Sequence, residues 1–286
     1  MTVDRIVTTV RLGFSVLFLW MVIDGPWVKL KGESFGVFDA HGGSGFGIVA
    51  VAMGALILLI SLLFLTGKEF EFRYFQIGRH QLLLVLTVAS FTNVLGFLII
   101  THSGSFRELG NIKGAGWGAA GACLIMYFFP QLVITGLGSL GTASSTPLTI
   151  KDSRTIASGI LLSGVVLIIA PMFEWFKTGE ESWTGYQPGS PRIAFLILIF
   201  GGVMTLVGCM RLRTKGLAEP GGRISHPHLQ LVVSLSVLAP LIGWLVTDMQ
   251  REDMSSGIGV WVAFIAGLSL LGFSLFEFSR RKVTAC

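Results

Sequence analysis

Eight long apolar runs constrain this chain more than any other feature of its sequence. Each run has the length, about 20 residues, that an α-helix needs to cross the hydrocarbon core of a bilayer. In lipid, all backbone polar groups must be satisfied within the fold, so only helices and closed barrels span a membrane. The runs predict eight transmembrane helices, at 7–24, 46–66, 81–101, 114–136, 156–174, 193–212, 229–247 and 257–277.

The composition also indicates that the chain folds in a lipid bilayer. Hydrophobic residues make up 52% of the chain, charged residues 13%, and the mean hydropathy is +0.75. A soluble domain carries about 25% charged residues. The segments between the runs are too short for a soluble domain, so we expect an integral membrane protein of the cytoplasmic or plasma membrane type.

Two short motifs occur twice, in the same order and at nearly constant spacing. A Trp-x-Lys follows the first and the fifth run, 148 residues apart, and a Gly-rich motif with a Trp opens the fourth and the eighth, 143 to 144 residues apart. A fixed period indicates an internal repeat. The residues that carry it are Trp27, Lys29, Trp175, Lys177, Gly114, Gly116, Trp117, Gly257, Gly259 and Trp261.

The period predicts two four-helix transmembrane units, 1–148 and 149–286. Because four is an even number, the two units share one orientation, unlike the inverted repeats of many secondary transporters. The predicted fold is therefore an all-α membrane protein built as a parallel tandem repeat. Each unit has a long first extracytoplasmic loop in which we expect a short β-hairpin.

The basic residues predict the orientation. If the first segment is cytoplasmic, fourteen Lys and Arg residues lie in inner segments and seven in outer ones. The positive-inside rule then places both termini in the cytoplasm. The net charge of +5 is dispersed over the chain, which predicts contact with anionic lipid headgroups and gives no support to a nucleic-acid partner.

The helix order, with a long first and a short second outer loop, resembles that of claudin-type tetraspan proteins, here in tandem. The resemblance is one of topology and concerns each half separately. The claudin-type loop pattern, a Trp followed by Gly-Leu-Trp and paired cysteines, is missing. The resemblance therefore implies a four-helix bundle per half and assigns no role to any residue.

The repeated Trp and Lys residues lie where predicted helices leave the bilayer. Trp at the interface and Lys reaching towards headgroups is an ordinary membrane anchor. A second interpretation places Trp27 and Trp175 as plugs at the top of each bundle beneath the outer loop. The repeated glycines are expected to let helices pack closely.

Polar residues are few inside the predicted helices. The middle of each run lacks Asp, Glu, Lys, Arg and His, which disfavours proton relays and ion-coupled transport. Asn93 is the strongest polar candidate within a helix, either as a substrate contact or as an interhelical hydrogen bond. Helix seven carries Gln230, Ser234 and Ser236, most simply for packing.

The histidines offer a weak candidate for cofactor binding. His80 and His228 begin the third and seventh predicted helices, with His226 close by, so the three could meet at the inner surface as haem or pigment ligands. The simpler interpretation is that of histidines at headgroup level. We predict no cofactor and no metal site.

The sequence carries no nucleophile elbow, P-loop, dinucleotide fingerprint or HExxH motif. The leading hypothesis is a non-enzymatic structural or accessory subunit of a larger membrane assembly, or a protein that self-associates. The alternatives are a carrier or channel for a neutral or lipid-like substrate, and a haem- or pigment-binding membrane subunit. Enzymatic activity on a lipid ranks last.

Overall fold

A computed structural model describes most of the chain. The described residues are 3–30, 32–38, 44–66, 79–101, 111–112, 114–136, 150–187, 192–213, 226–250 and 254–280. The predicted boundary between the two units, at 148 and 149, lies outside them.

The described residues form eight α-helices of 20 to 23 residues, close to the eight predicted runs. Seven of these helices, all but the fourth, are long and apolar enough to cross a membrane, so the chain is an integral membrane protein with several apolar helices. The helices are α1 Val3–Ile23, α2 Ser44–Leu65, α3 Arg79–Thr101, α4 Gly114–Gly136, α5 Ile150–Ile169, α6 Ile193–Arg213, α7 His226–Asp248 and α8 Ile258–Arg280.

The fifth helix differs from the prediction at both ends. It begins at Ile150 and ends at Ile169, whereas the apolar run predicted a helix to residue 174. Pro171 lies beyond the end of α5, in a 3-10 turn at Ala170–Met172. Because Pro lacks an N–H and disfavours a helical residue before it, the α-helix stops here.

Two small antiparallel sheets follow α1 and α5. The first has the order β2-β1-β3 and the second β5-β4-β6, so in each the first strand is central. The predicted hairpins are therefore present in both loops, and each gains a third strand that precedes the last helix of its half. The strands are β1 Val28–Leu30, β2 Glu33–Phe35, β3 Asn111–Ile112, β4 Glu174–Thr178, β5 Glu181–Thr184 and β6 Met254–Ser256.

The two hairpins turn at glycines. Leu30 pairs with Glu33, and Thr178 pairs with Glu181, so each turn has two residues. Gly32 has φ +98° and Gly179 has φ +59°, a region that L side chains rarely adopt.

The helices pack around a central pair, α3 and α7. A larger share of these two is buried than of the other five helices that are apolar enough to span a membrane. α1 packs against α2 and α4, and α5 packs against α6 and α8. The start of α2 lies against the end of α7, so both sheets lie at one end of the bundle, which we call the sheet end. The opposite end is called the far end.

Candidate functional site

A fully buried ion pair lies at the far end of the second half. Arg211 Nη1 is 2.8 Å from Glu277 Oε2, and Arg211 Nη2 is 3.0 Å from Glu277 Oε1. The side chains are 1% and 0% exposed. This is a bidentate arrangement, in which the planar guanidinium matches both carboxylate oxygens.

A third side chain completes this cluster. Gln230 Nε2 donates a hydrogen bond of 3.2 Å to Glu277 Oε2. We call Arg211, Gln230 and Glu277 the far-end cluster. They come from the last turn of α6, the second turn of α7 and the last turn of α8, all within about 6 Å of a helix end.

The far-end cluster is a clamp between three helices. Its two charges sum to zero, and Glu277 accepts hydrogen bonds at both oxygens. A carboxylate held in this way is poorly suited to act as a base or to bind a cation. Nearby, Ser274 Oγ donates to the backbone oxygen of Pro227 at 2.9 Å, which further ties α8 to the start of α7.

A second feature is the crossing of α3 and α7. A Cβ on Gly96 would lie 3.0 Å from Cβ of Pro240, and a Cβ on Gly243 would lie 3.0 Å from Oδ1 of Asn93. Gly96 and Gly243 are 147 residues apart, as are Asn93 and Pro240. The two contacts are therefore reciprocal, as at a two-fold interface between identical surfaces. We call these four residues the central crossing.

Asn93 connects the central crossing to α2. Its Nδ2 donates to the backbone oxygen of Phe46 at 2.9 Å, and its Oδ1 has no hydrogen-bond partner in the part of the chain that the structure describes. One turn away, the N–H of Gly45 donates to Thr247 Oγ1 at 3.1 Å. These bonds hold the first turn of α2 against α3 and α7.

In both repeated Trp-x-Lys motifs, the indole packs against the helix bundle. Trp27 and Trp175 are almost completely buried, and Trp27 Nε1 donates to the backbone oxygen of Met21 at 2.8 Å. Lys29 and Lys177 are exposed, and Lys177 lies 3.0 Å from Glu174. The indoles thus lie beneath the sheets while the lysines face outwards.

The repeated glycine motifs differ between the halves. In the second half, a Cβ on Gly257 would collide with the backbone of Glu174, and one on Gly259 would lie 2.6 Å from the oxygen of Ala170. In the first half, Gly116 is buried but Gly114 has open space around it. Trp117 and Trp261 are 56% and 43% exposed, so these two indoles lie on the outside of the bundle.

Of the three histidines predicted as weak candidates for haem or pigment binding, the structure describes the side chain of one, His228. The side chains of His80 and His226 lie outside the described part. The ring of His228 packs edge-on against Phe278, with 5.0 Å between centroids. His228 therefore lies beside the far-end cluster.

Arg211 is one of the fourteen basic residues of the predicted inner segments, and no motif of the sequence singled out Glu277. The helical periodicity of the buried positions could have identified both residues. Glu277 continues the buried positions Gly267, Leu270 and Ser274 along α8, and Arg211 continues Met204 and Gly208 along α6. A charge on the buried stripe, even in a last turn, predicts an internal partner.

Comparison of the chain with models of protein families, with curated proteins and with solved structures finds no match in any of the three.

Proposed function

We propose that this chain is a non-enzymatic structural or accessory subunit of a larger membrane assembly, or a subunit that self-associates. In this proposal it crosses the membrane eight times as two parallel four-helix units, 1–148 and 149–286. The far end is cytoplasmic, with both termini on that side. Membrane lipids and other membrane proteins are its partners.

Two observations support the repeat. The central crossing joins residues 147 apart in reciprocal contacts. In the sheets, Lys29 pairs with Asn111 and Lys177 pairs with Ser255, which places the same motif opposite the same third strand. α4 has 23 residues and packs against α1 and α3, which supports an eighth span.

The observation that carries the functional proposal is the closed state of Glu277. A buried carboxylate within a membrane helix is the group expected to move protons or ions. Here Arg211 and Gln230 occupy its oxygens, so its role is to hold α6, α7 and α8 together. Likewise, the side-chain amide of Asn93 donates its hydrogen bond to the backbone of α2. Interior polarity that holds helices together favours a packing role over transport.

The test is purification of the protein from its native membrane in a mild detergent, followed by mass spectrometry and an absorption spectrum of the same sample. We expect other membrane proteins at fixed stoichiometry, or a defined oligomer. A monomer that purifies alone contradicts the proposal. A visible chromophore would instead favour the histidine hypothesis.

A carrier or channel for a neutral or lipid-like substrate is the second candidate. It is favoured by Asn93 Oδ1, a buried acceptor without a hydrogen-bond partner among the described residues, which lies at the crossing between the two halves. In this case Asn93→Leu abolishes uptake and leaves co-purification unchanged. Under the subunit proposal the same variant has no effect on uptake.

A further inference from the structure

The buried face of α1 becomes polar towards the far end. Thr8, Arg11 and Ser15 are buried on the same stripe as Phe18 and Val22. Arg11 is 3% exposed, and its Nε and Nη1 have no hydrogen-bond partner among the residues that the structure describes.

Arg11 contrasts with the other buried arginine of the described chain. Arg211 is neutralised by Glu277, whereas no carboxylate of the described residues is paired with Arg11. A buried cation without an anion is strongly destabilising, and buried polar groups in native proteins almost always have partners. Among the described residues Arg11 thus has no anion, which leaves its guanidinium open to one from outside the chain.

A second unpartnered polar group lies at the same level. A Cβ on Gly54 would lie 2.9 Å from Phe18 Cδ1, so these positions face each other across antiparallel α1 and α2. Seven residues towards the far end, the same stripes carry Arg11 and Ser61. Ser61 is completely buried, and its Oγ has no hydrogen-bond partner within the described part.

We infer that Arg11 and Ser61 form a binding site for a phosphate-bearing anion at the far end of the α1–α2 seam. A guanidinium binds a phosphate through two parallel hydrogen bonds, and a hydroxyl adds a third donor. Ser61 lies four residues, about 6 Å, before the end of α2, and Arg11 lies about 12 Å inside the start of α1. Side chains on a helix tilt towards its N-terminus, so the long side chain of Arg11 carries the guanidinium from this depth towards the far end.

The phosphate has two sources, a lipid headgroup or free phosphate. A carboxylate of a partner protein is less favoured because Arg11 is already enclosed by its own chain. A phosphate on a flexible glycerol, or a free ion, enters between two helix ends more easily than a side chain fixed on a packed helix. This site is independent of the proposed subunit role.

The test uses the full chain, purified in detergent and stripped of bound lipid. The thermal unfolding temperature is measured with added phosphatidylglycerol, with diacylglycerol as a lipid lacking phosphate, and with inorganic phosphate. We expect the temperature to rise with phosphatidylglycerol or with inorganic phosphate, and not with diacylglycerol. Which of the two acts identifies the source.

The variants are Arg11→Gln and, as matched control, Arg5→Gln, which removes an exposed arginine from the same helix. We expect Arg11→Gln to weaken the apparent affinity about tenfold or more, and Arg5→Gln to leave it unchanged. If Arg11→Gln does not fold, Ser61→Ala serves instead, with a loss of about three- to tenfold.

Three results overturn the inference. The first is the absence of a shift with either phosphate source. The second is an equal shift in the wild type and in whichever of Arg11→Gln or Ser61→Ala is folded. The third is a stoichiometric protein that co-purifies with the wild type and is lost in Arg11→Gln, which assigns the partner of Arg11 to a protein carboxylate.

Discussion

At the scale of the residue, the buried charges among the described residues are one pair and one single group. Arg211 and Glu277 neutralise each other, while Arg11 lacks a partner in the described chain. Removing one member of a buried pair costs far more than replacing both, because the first change leaves an uncompensated charge. This asymmetry makes the pair testable.

Glu277→Leu is expected to destabilise the bundle by about 3–5 kcal/mol, since it leaves the Arg211 guanidinium buried and unpaired. The double variant Arg211→Met, Glu277→Leu is expected to recover most of this loss. Thermal unfolding in detergent measures both. A double variant that is as unstable as the single one would show that the charge pairing is not the cause.

Asn93→Leu is expected to lower stability by about 0.6 kcal/mol, and by no more than about 1.7 kcal/mol, through loss of the bond to Phe46. The matched control is Thr92→Val, because the side-chain hydrogen bond that Thr92 makes among the described residues lies within its own helix, to Ala89. Unfolding measurements on the two variants compare an interhelical bond with an intrahelical one. Equal losses would argue against a role of Asn93 in holding α2.

At the scale of the element, close contact between helix backbones depends on particular glycines. A Cβ on Gly201 would lie 2.9 Å from the oxygen of Gly164, on the facing surface of α5. The adjacent Gly202 has open space around it. The sequence Gly201-Gly202 indicates small-residue packing, but only the helix pairing tells which of the two glycines is required.

Gly201→Ala is therefore expected to cost about 1–3 kcal/mol, because α5 and α6 must separate. Gly202→Ala, with the same gain in helix propensity, is expected to be neutral or slightly stabilising. The comparison is made by thermal unfolding of both variants. Equal behaviour would contradict the tight α5–α6 contact.

At the scale of the whole molecule, both sheets lie at the sheet end of the bundle, which predicts an even number of membrane crossings between them. Four helices, α2 to α5, separate Ser34 in β2 from Ser182 in β5. If all four cross the membrane, both serines face the same side. If α4 does not cross, they face opposite sides.

In a background without native cysteines, Ser34→Cys and Ser182→Cys are both expected to react with a thiol reagent that does not cross membranes, applied to intact cells. Thr155→Cys, exposed near the far end of α5, is expected to react only after permeabilisation. Labelling of only one of the two serine positions in intact cells would contradict eight spans. Labelling of Thr155→Cys alone in intact cells would show that the orientation is the opposite of the proposed one.

Much of the architecture followed from local properties. Apolar runs long enough to cross a bilayer predicted the helices, and the alternating stretch of the first long loop and the turn-rich stretch of the second predicted the hairpins. The end of α5 was missed because the apolar run continues into a segment where Pro171 stops the helix. Residue periodicity alone did not separate that segment from the helix.

The sequence by itself determined that the chain folds in a lipid bilayer, that it is helical, and roughly where the helices lie. These properties depend on hydrophobicity and on the length of the apolar runs. The tertiary structure decided which side chains contact each other in the interior of the bundle. Arg211 and Glu277 are 66 residues apart and pair only because α6 and α8 converge at α7. Likewise, Trp27 and Trp175 are buried because strands from distant segments close over them. Such contacts depend on which helix surfaces face each other, and the periodicity of one helix does not carry that information.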